Sequence, residues 1–264
     1  MEGLKIYKGI IFDIDGTLVM HGSALPGVID SLKKIRKMGY KLRFVSNTTG
    51  RNEEQLADQL RSLGLEVYKH EIMTSVSACV SYLQSEYASG KGFFAVPELL
   101  KSRFSSLPQV DENPDYVVLG DLDEDFNYLL LNKIFNFLRC GSKLIVFHKN
   151  PWYFRHEKTW LDSGSFTQAL EFASGIKAVV TGKPSPVMFR CAIQSMGLDE
   201  RQVLVVGDDV TTDVAGARNA KLDYLLIGSG KFKRDDIVTH QVPSTNFVST
   251  FSELSTWLES KVII

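Results

Sequence analysis

The chain has 264 residues, and a prior of roughly 150 residues per domain allows one large or two modest domains. With 44% apolar and 23% charged residues it is neither disordered nor collagen-like, and 30 basic against 31 acidic side chains leave no surplus for nucleic acid or an anionic membrane. Three scattered cysteines (79, 140 and 191), no apolar run near the roughly 20 residues of a membrane helix, and no signal-peptide pattern at the N-terminus argue for a reduced, cytoplasmic setting without a disulfide framework.

In chain order, Lys8–Phe12 is a continuous apolar run, as expected of a strand buried on both faces. Pro26-Gly27 opens a helical pattern with Val28, Leu32 and Ile35 on one face, closed by Gly39. Lys41–Val45 is a second strand. Asn52 to Gln55 has the form of a capping box, followed by Leu56, Leu60 and Leu63 at helical spacing and a stop at Gly64. Gly92–Val96, Tyr116–Leu119 and Lys143–Phe147 are predicted strands, and Tyr128–Arg139 a helix with Leu130, Ile134 and Phe137 on its inner face. Ala178–Thr181 is a strand, and Ser185-Pro186 reads as an N-cap with proline in the first turn. Val203–Gly207 and Tyr224–Ile227 are strands, and Phe251, Leu254 and Leu258 mark a last helix. The three cysteines are expected on apolar helical faces in the core. Alternating strands and helices imply a parallel sheet between helical layers.

Four segments at strand ends or helix starts carry chemistry. Asp13 and Asp15, in Phe12-Asp13-Ile14-Asp15-Gly16-Thr17-Leu18, directly follow a buried strand. A turn is the bland reading of such a pair, and a calcium loop lacks its acid at position twelve, which is Ala24. Ser46-Asn47-Thr48-Thr49 follows the second strand, and Lys183 precedes a helix start, where backbone N–H groups favour an anion. Asp208, Asp209 and Asp213 crowd behind the strand Val203–Gly207. In open α/β sheets ligands bind at the carboxyl ends of the strands, so the four segments can converge. Crowded carboxylates ask for a cation, and hard oxygen ligands without a convergent His or Cys point to Mg²⁺.

Together these segments resemble the motifs of the haloacid dehalogenase-like (HAD) superfamily of aspartate-dependent phosphohydrolases. Asp13-Ile-Asp15-Gly-Thr17-Leu is similar to its first motif, Ser46 to the second, Lys183 to the third, and Gly207-Asp208-Asp209 with Asp213 to the fourth. Asp125-Phe-Asn-Tyr128, Gly182-Lys183-Pro-Ser-Pro186 and Gly228-Ser-Gly-Lys231-Phe232 resemble the NagD-like subfamily IIA, and His148-Lys149 its phospholysine/phosphohistidine inorganic pyrophosphate phosphatase-like branch. The resemblance implies a Rossmann-like parallel-sheet core at 1–76 and 178–264, with an inserted α/β C2-type cap at 77–177 that sets substrate choice. It implies an Mg²⁺-dependent phosphatase that hydrolyses small phosphomonoesters through an aspartyl-phosphate.

In that scheme Asp13 is the nucleophile and Asp15 the acid and then the base. Ser46, Asn47 and Lys183 hold the phosphoryl group. Asp13, the main-chain carbonyl of Asp15, and Asp208 hold the metal, and Asp213 binds a metal-bound water or orients Asp208. Asp209 receives no fixed role. His148, Lys149 and Asn150 are expected to approach the substrate, with Trp152 at the entrance. The competing reading is that Trp152, Tyr153 and Phe154 pack the cap or a dimer contact. His21 is expected as a solvated loop residue. The partners implied are a small phosphorylated metabolite and a second copy through the cap, with neither nucleic acid nor membrane. Two rival readings are a phosphoacceptor signalling domain, against which Asp15 and the 137-residue spacing from Ser46 to Lys183 argue, and a catalytically idle binding member of the same fold.

Overall fold

A computed structural model describes residues 7–155 and 157–260, the backbone of Phe154 included. The side chain of Phe154 and the first six residues of the N-terminal segment, on which two expectations bear, lie outside the described residues. The chain divides into two compact units, Met1–Thr74 with Lys183–Ile264, and Ser75–Gly182.

The first unit opens with β1 (Gly9–Asp13), the short antiparallel flap of β2 (Val19–Met20) and β3 (Ser23–Ala24), α1 (Val28–Lys37), β4 (Lys41–Ser46), α2 (Glu53–Ser62) and β5 (Ile72–Thr74). The second unit holds α3 (Ser75–Glu86), β6 (Gly92–Ala95), α4 (Glu98–Lys101), β7 (Tyr116–Leu119), α5 (Tyr128–Arg139), β8 (Lys143–Val146), β9 (Trp152–Arg155), β10 (Lys158–Leu161), α6 (Ser163–Ser174) and β11 (Val179–Val180). The first unit then resumes with α7 (Pro186–Met196), β12 (Val203–Gly207), α8 (Ala215–Asn219), β13 (Asp223–Ile227), α9 (Arg234–Thr239), β14 (Phe247–Val248) and α10 (Phe251–Glu259).

In the first unit six parallel strands lie in the order β14-β13-β12-β1-β4-β5. All five residues of β1 are buried, with Phe12 in register with Phe44 on one side and Val206 on the other. A strand flanked and covered in this way needs no polar alternation, which is why its sequence is a continuous apolar run. Phe12 stacks on Phe44 at 5.9 Å and on Phe251 at 5.8 Å, tying α10 to the sheet. The chain leaves β1 toward β4 on one side and returns to β12 on the other, so the strand order reverses there. This switch point is where such sheets open a crevice at their carboxyl ends. Asn52 and Gln55 form the expected capping box of α2, and Ser185 with Pro186 the expected start of α7.

The second unit carries its own parallel sheet, β11-β8-β7-β6, with apolar side chains buried on both faces. Residues 178–182, expected in the core, belong here, because Val179 and Val180 pair with Ile145 and Val146 of β8. The helix 128–139 turns Ile134 and Leu138 fully inward, while Phe137 is only half-buried. Cys79 and Cys191 are buried, but Cys140, expected in the core, is exposed where α5 ends. The last inward-facing residue of the helix is Leu138, two residues earlier. The antiparallel β9–β10 hairpin escaped the sequence reading because β10 is exposed on both faces and shows no alternation. Among the described residues no helix is long and apolar enough to cross a membrane.

Phe12 is wholly buried between two rings. Phe12→Ala should lower unfolding free energy by about 3–5 kcal/mol, read from the midpoint of urea denaturation.

Candidate active site

The carboxyl end of the first unit's sheet gathers the motif residues from separate segments. Asp13 ends β1, Ser46 ends β4, and Asp208 follows β12. Asp209 caps a short π-helical turn, Val210–Val214, that carries Asp213 inward. Lys183 is the first residue of the returning chain. A crevice of about 230 Å³ is lined by Asp13, Asp15, Ser46, Asn47, Lys183 and Lys231, among others.

Lys183 organises the buried charges. Its ammonium donates to Asp13 and, at 2.7 Å, to Asp213, and all three side chains are buried. Its backbone is held as well, since Lys183 N–H donates to Asn47 Oδ1 at 2.7 Å and Asn47 Nδ2 donates to the Lys183 carbonyl at 2.9 Å. Asn47, expected at the phosphoryl group, therefore also clamps the lysine's main chain. Ser46 Oγ accepts from Thr48 N–H at 3.2 Å and lies 3.5 Å from Asp15 Oδ2. Asp15 is exposed at the crevice, unlike Asp13 two residues before it.

Asp208 is wholly buried and accepts from the Thr17 hydroxyl at 2.6 Å and from Lys231 N–H at 2.7 Å. Gly16, at φ +95°, makes this approach feasible, because a Cβ there would lie 2.5 Å from Asp208 Oδ2. Asp209 accepts from the Thr211 N–H and hydroxyl and from Lys231 Nζ at 2.9 Å. Thr17 and Lys231 are the site residues whose roles sequence reasoning missed. Both stood inside quoted motifs, yet their partners lie 191 and 22–23 residues away in the chain.

Carboxylate oxygens of Asp13, Asp208 and Asp213 all lie within 4.8 Å of one another. Burial pushes the Asp13 carboxyl up to about 6, against the opposing pull of the Lys183 ammonium, and does the same to Asp213. Asp208 is also raised, chiefly by burial. Burial alone would lower Lys183, but Asp13 and Asp213 outweigh it and hold the lysine firmly protonated. Burial likewise works against an ionised Asp209, yet the hydrogen bonds from Thr211 and Lys231 bring it down to about 2. One buried ammonium thus faces three buried carboxylates; burial is the main cause that raises the acids, and their mutual repulsion adds to it. A divalent cation fits this donor set: the oxygens are hard, clustered and short of counter-charge, with no His or Cys among them. Asp15, expected among the metal residues through its carbonyl, stands outside this carboxylate group.

The remaining expected site residues lie in the second unit. His148 Nε2 pairs with Asp121 Oδ2 at 3.1 Å, and Asp162 completes a group within 4.8 Å. Asn150 N–H donates to His148 Nδ1 at 3.3 Å, which places the ring proton on Nε2, toward Asp121. Lys149 is tied to the buried Glu171 at 2.7 Å. His148 and Lys149 therefore both have their polar partners within their own unit. Trp152 is half-exposed on the hairpin, and Tyr153 donates its hydroxyl to Asp123. His21 is exposed in the flap turn.

A parallel sheet with a reversed strand order, two carboxylates after its first strand, and a lysine bridging two buried acids fit the resemblance to the haloacid dehalogenase-like hydrolases. Comparison with known proteins agrees. Residues 10–107 match the family described as haloacid dehalogenase-like hydrolase, and residues 180–254 the one described as HAD-hydrolase-like. Human haloacid dehalogenase-like hydrolase domain-containing protein 2 is 33% identical over 89% of this chain and 90% of its own. Human phospholysine phosphohistidine inorganic pyrophosphate phosphatase is 30% identical over 93% and 92%. Among solved structures, p-nitrophenyl phosphatase from Archaeoglobus fulgidus superimposes with a TM-score of 0.82 at 28% identity, covering 95% of this chain and 99% of its own. NagD from E. coli K-12 gives 0.82 at 25%, covering 94% and 98%. The chain belongs to the haloacid dehalogenase-like hydrolases, in their NagD-like subfamily IIA.

The raised carboxyls set a pH-dependent stability. Asp13 and Asp213 keep protons up to about 6 when folded, whereas ordinary carboxyls release them near 4. Their contribution to stability is complete below the unfolded value and is lost as pH rises through about 6. A divalent cation supplies the counter-charge that the ionised pair lacks. Mg²⁺ should therefore raise the melting temperature more at pH 7 than at pH 5, and equal shifts in calorimetry would refute the carboxylate cluster as its site.

Proposed function

We propose that this phosphatase hydrolyses small phosphomonoesters with Mg²⁺, through a phosphoryl group carried on Asp13. The observation that carries this reading is the pairing of a buried, lysine-bridged Asp13 with an exposed Asp15 two residues on, both lining one crevice. The phosphatase names of the relatives and of the structural neighbours accord with it. Asp13, Asp208 and Asp213, with the carbonyl of Asp15, would hold Mg²⁺, which when bound offsets the repulsion between Asp13 and an anionic phosphate.

The chain's own residues then divide the work. A carboxylate oxygen of Asp13 attacks phosphorus, and the bond to the leaving oxygen breaks as Asp15 gives that oxygen its proton. Asp15, now ionised, takes a proton from water, whose oxygen attacks the same phosphorus and frees Asp13. An exposed acid suits the second role because solvent must reach it in both steps. Ser46 donates its hydroxyl to a phosphoryl oxygen, and Asn47 fixes both Ser46's loop and the backbone of Lys183. Lys183 neutralises phosphoryl charge and keeps Asp13 ionised. The inserted unit serves as the C2-type cap, with Lys149, Asn150 and His148 toward the substrate and a homodimer formed through it. A cytoplasmic location belongs to the same reading.

The test is release of p-nitrophenol from p-nitrophenyl phosphate. Wild-type protein should turn over with Mg²⁺ and stop on chelation. Asp13→Asn should lose about 10⁴-fold or more in kcat while keeping its circular dichroism spectrum. Asp15→Asn should accumulate phosphorylated protein, because the second step loses its base. Normal turnover in Asp13→Asn would exclude the nucleophile assignment, and a phosphoaspartate that persists in the wild type would favour a signalling role.

A further inference from the structure

The first unit holds a second, larger cavity at the same end of its sheet. Gly228 directly follows β13 and Ser249 directly follows β14, so the cavity opens at the carboxyl ends of the two outermost strands. Its volume is about 590 Å³, within the range of small-ligand sites. The walls are the rings of Phe232 and Phe247, 5.0 Å apart, with Ile237 and Val238 from α9. Val238 is 81% exposed, so its side chain is open to whatever enters the cavity. Arg234 is the one charged residue of the lining, and no ion pair ties it to another described residue. Two phenyl rings, two aliphatic side chains and a lone guanidinium complement one kind of small molecule: an aromatic ring bearing an anionic group.

The cavity wall is continuous with the active site through one short loop. Gly228 and Phe232 line the cavity, and between them Lys231 gives its N–H to Asp208 and its ammonium to Asp209. Gly230, at φ +51°, sits so close to Asp208 that a Cβ would lie 2.7 Å from its Cγ and 2.6 Å from Gly16 Cα. The neighbouring Ser229 hydroxyl is buried with no hydrogen-bond partner. A loop fastened at one side to Phe232 and at the other to Asp208 is an element that both sites contact and can bias.

We propose that this cavity is a binding site for a small aromatic anion, and that its occupancy alters phosphate hydrolysis through the Gly228–Phe232 loop. The binding half stands independently of the catalytic reading, and the coupling half rests on it. By linkage, a ligand that shifts the loop changes the site that the loop supports, to the extent that it binds the two arrangements unequally.

The probe is 1-anilinonaphthalene-8-sulfonate, followed by fluorescence, with its neutral counterpart N-phenyl-1-naphthylamine as control. The sulfonate should bind saturably at one site, at least tenfold more tightly than the neutral compound. Arg234→Glu and Val238→Glu both change exposed side chains and should each weaken it tenfold or more, with melting temperatures unchanged. Equal affinity for the two probes, or sulfonate binding that ignores both substitutions, would overturn the site. In the second arm, saturating sulfonate should change kcat/KM for p-nitrophenyl phosphate at least threefold in wild type and leave Arg234→Glu unaffected. Binding at the cavity without a kinetic effect would overturn the coupling. Wild-type protein that binds the probe as expected but hydrolyses nothing would instead refute the catalytic reading, and the coupling with it, leaving the site standing.

Discussion

The structure depends on one ammonium group. Lys183 reaches between Asp13 and Asp213, two carboxylates brought from opposite parts of the chain and buried at the floor of the crevice. A buried ion is costly to desolvate, and losing a single partner of such a set leaves an uncompensated charge. The lysine is thus the counter-charge that makes the burial of both acids tolerable. It is also insufficient, since Asp208 adds a third buried carboxylate that it cannot balance. Burial raises the acids, and the uncompensated carboxylates form an oxygen donor set that a divalent cation would fit.

The sheet exists to make that imbalance tolerable. β1 and β12 are buried throughout and β4 is buried over Phe44–Ser46, so their carboxyl ends are held in the covered part of the sheet. The acids cannot retreat from one another, and the rigid frame bears the cost. The outer parts differ. The flap, the loop after β13 and the exposed Asp15 sit at the margin of the frame, where side chains meet solvent. Asp15 is found there, while Asp13, Lys183, Asp208 and Asp213 are buried beneath.

Much of this was legible in the chain itself. The strand ahead of Asp13 and the strand ahead of Asp208 announce themselves as unbroken apolar runs, and the acids behind them are local in sequence. The capping box of α2 and the Ser185-Pro186 start of α7 are likewise local, which is why they read correctly. What stayed hidden depended on distance. Nothing near Thr17 says that its hydroxyl belongs to Asp208, and nothing near Lys231 says that it joins two acids. The strand at 178–181 was assigned to the wrong sheet because a short apolar run carries no label for its partner. Cys140 was misplaced for a related reason. Helical periodicity fixes a face, but it does not say where that face ends. The exposed hairpin had no burial pattern at all.

The clamp between Asn47 and Lys183 has a consequence for the interrupted unit. The side-chain amide of a residue just past β4, ahead of α2 and β5, grips the backbone of the residue at which the chain returns. That stitch lies wholly in the first unit, so the returning lysine is set in place by the host and not by its guest. A returning lysine secured in this manner owes its place to the interrupted unit itself, joined to it by side-chain and main-chain contacts of that unit.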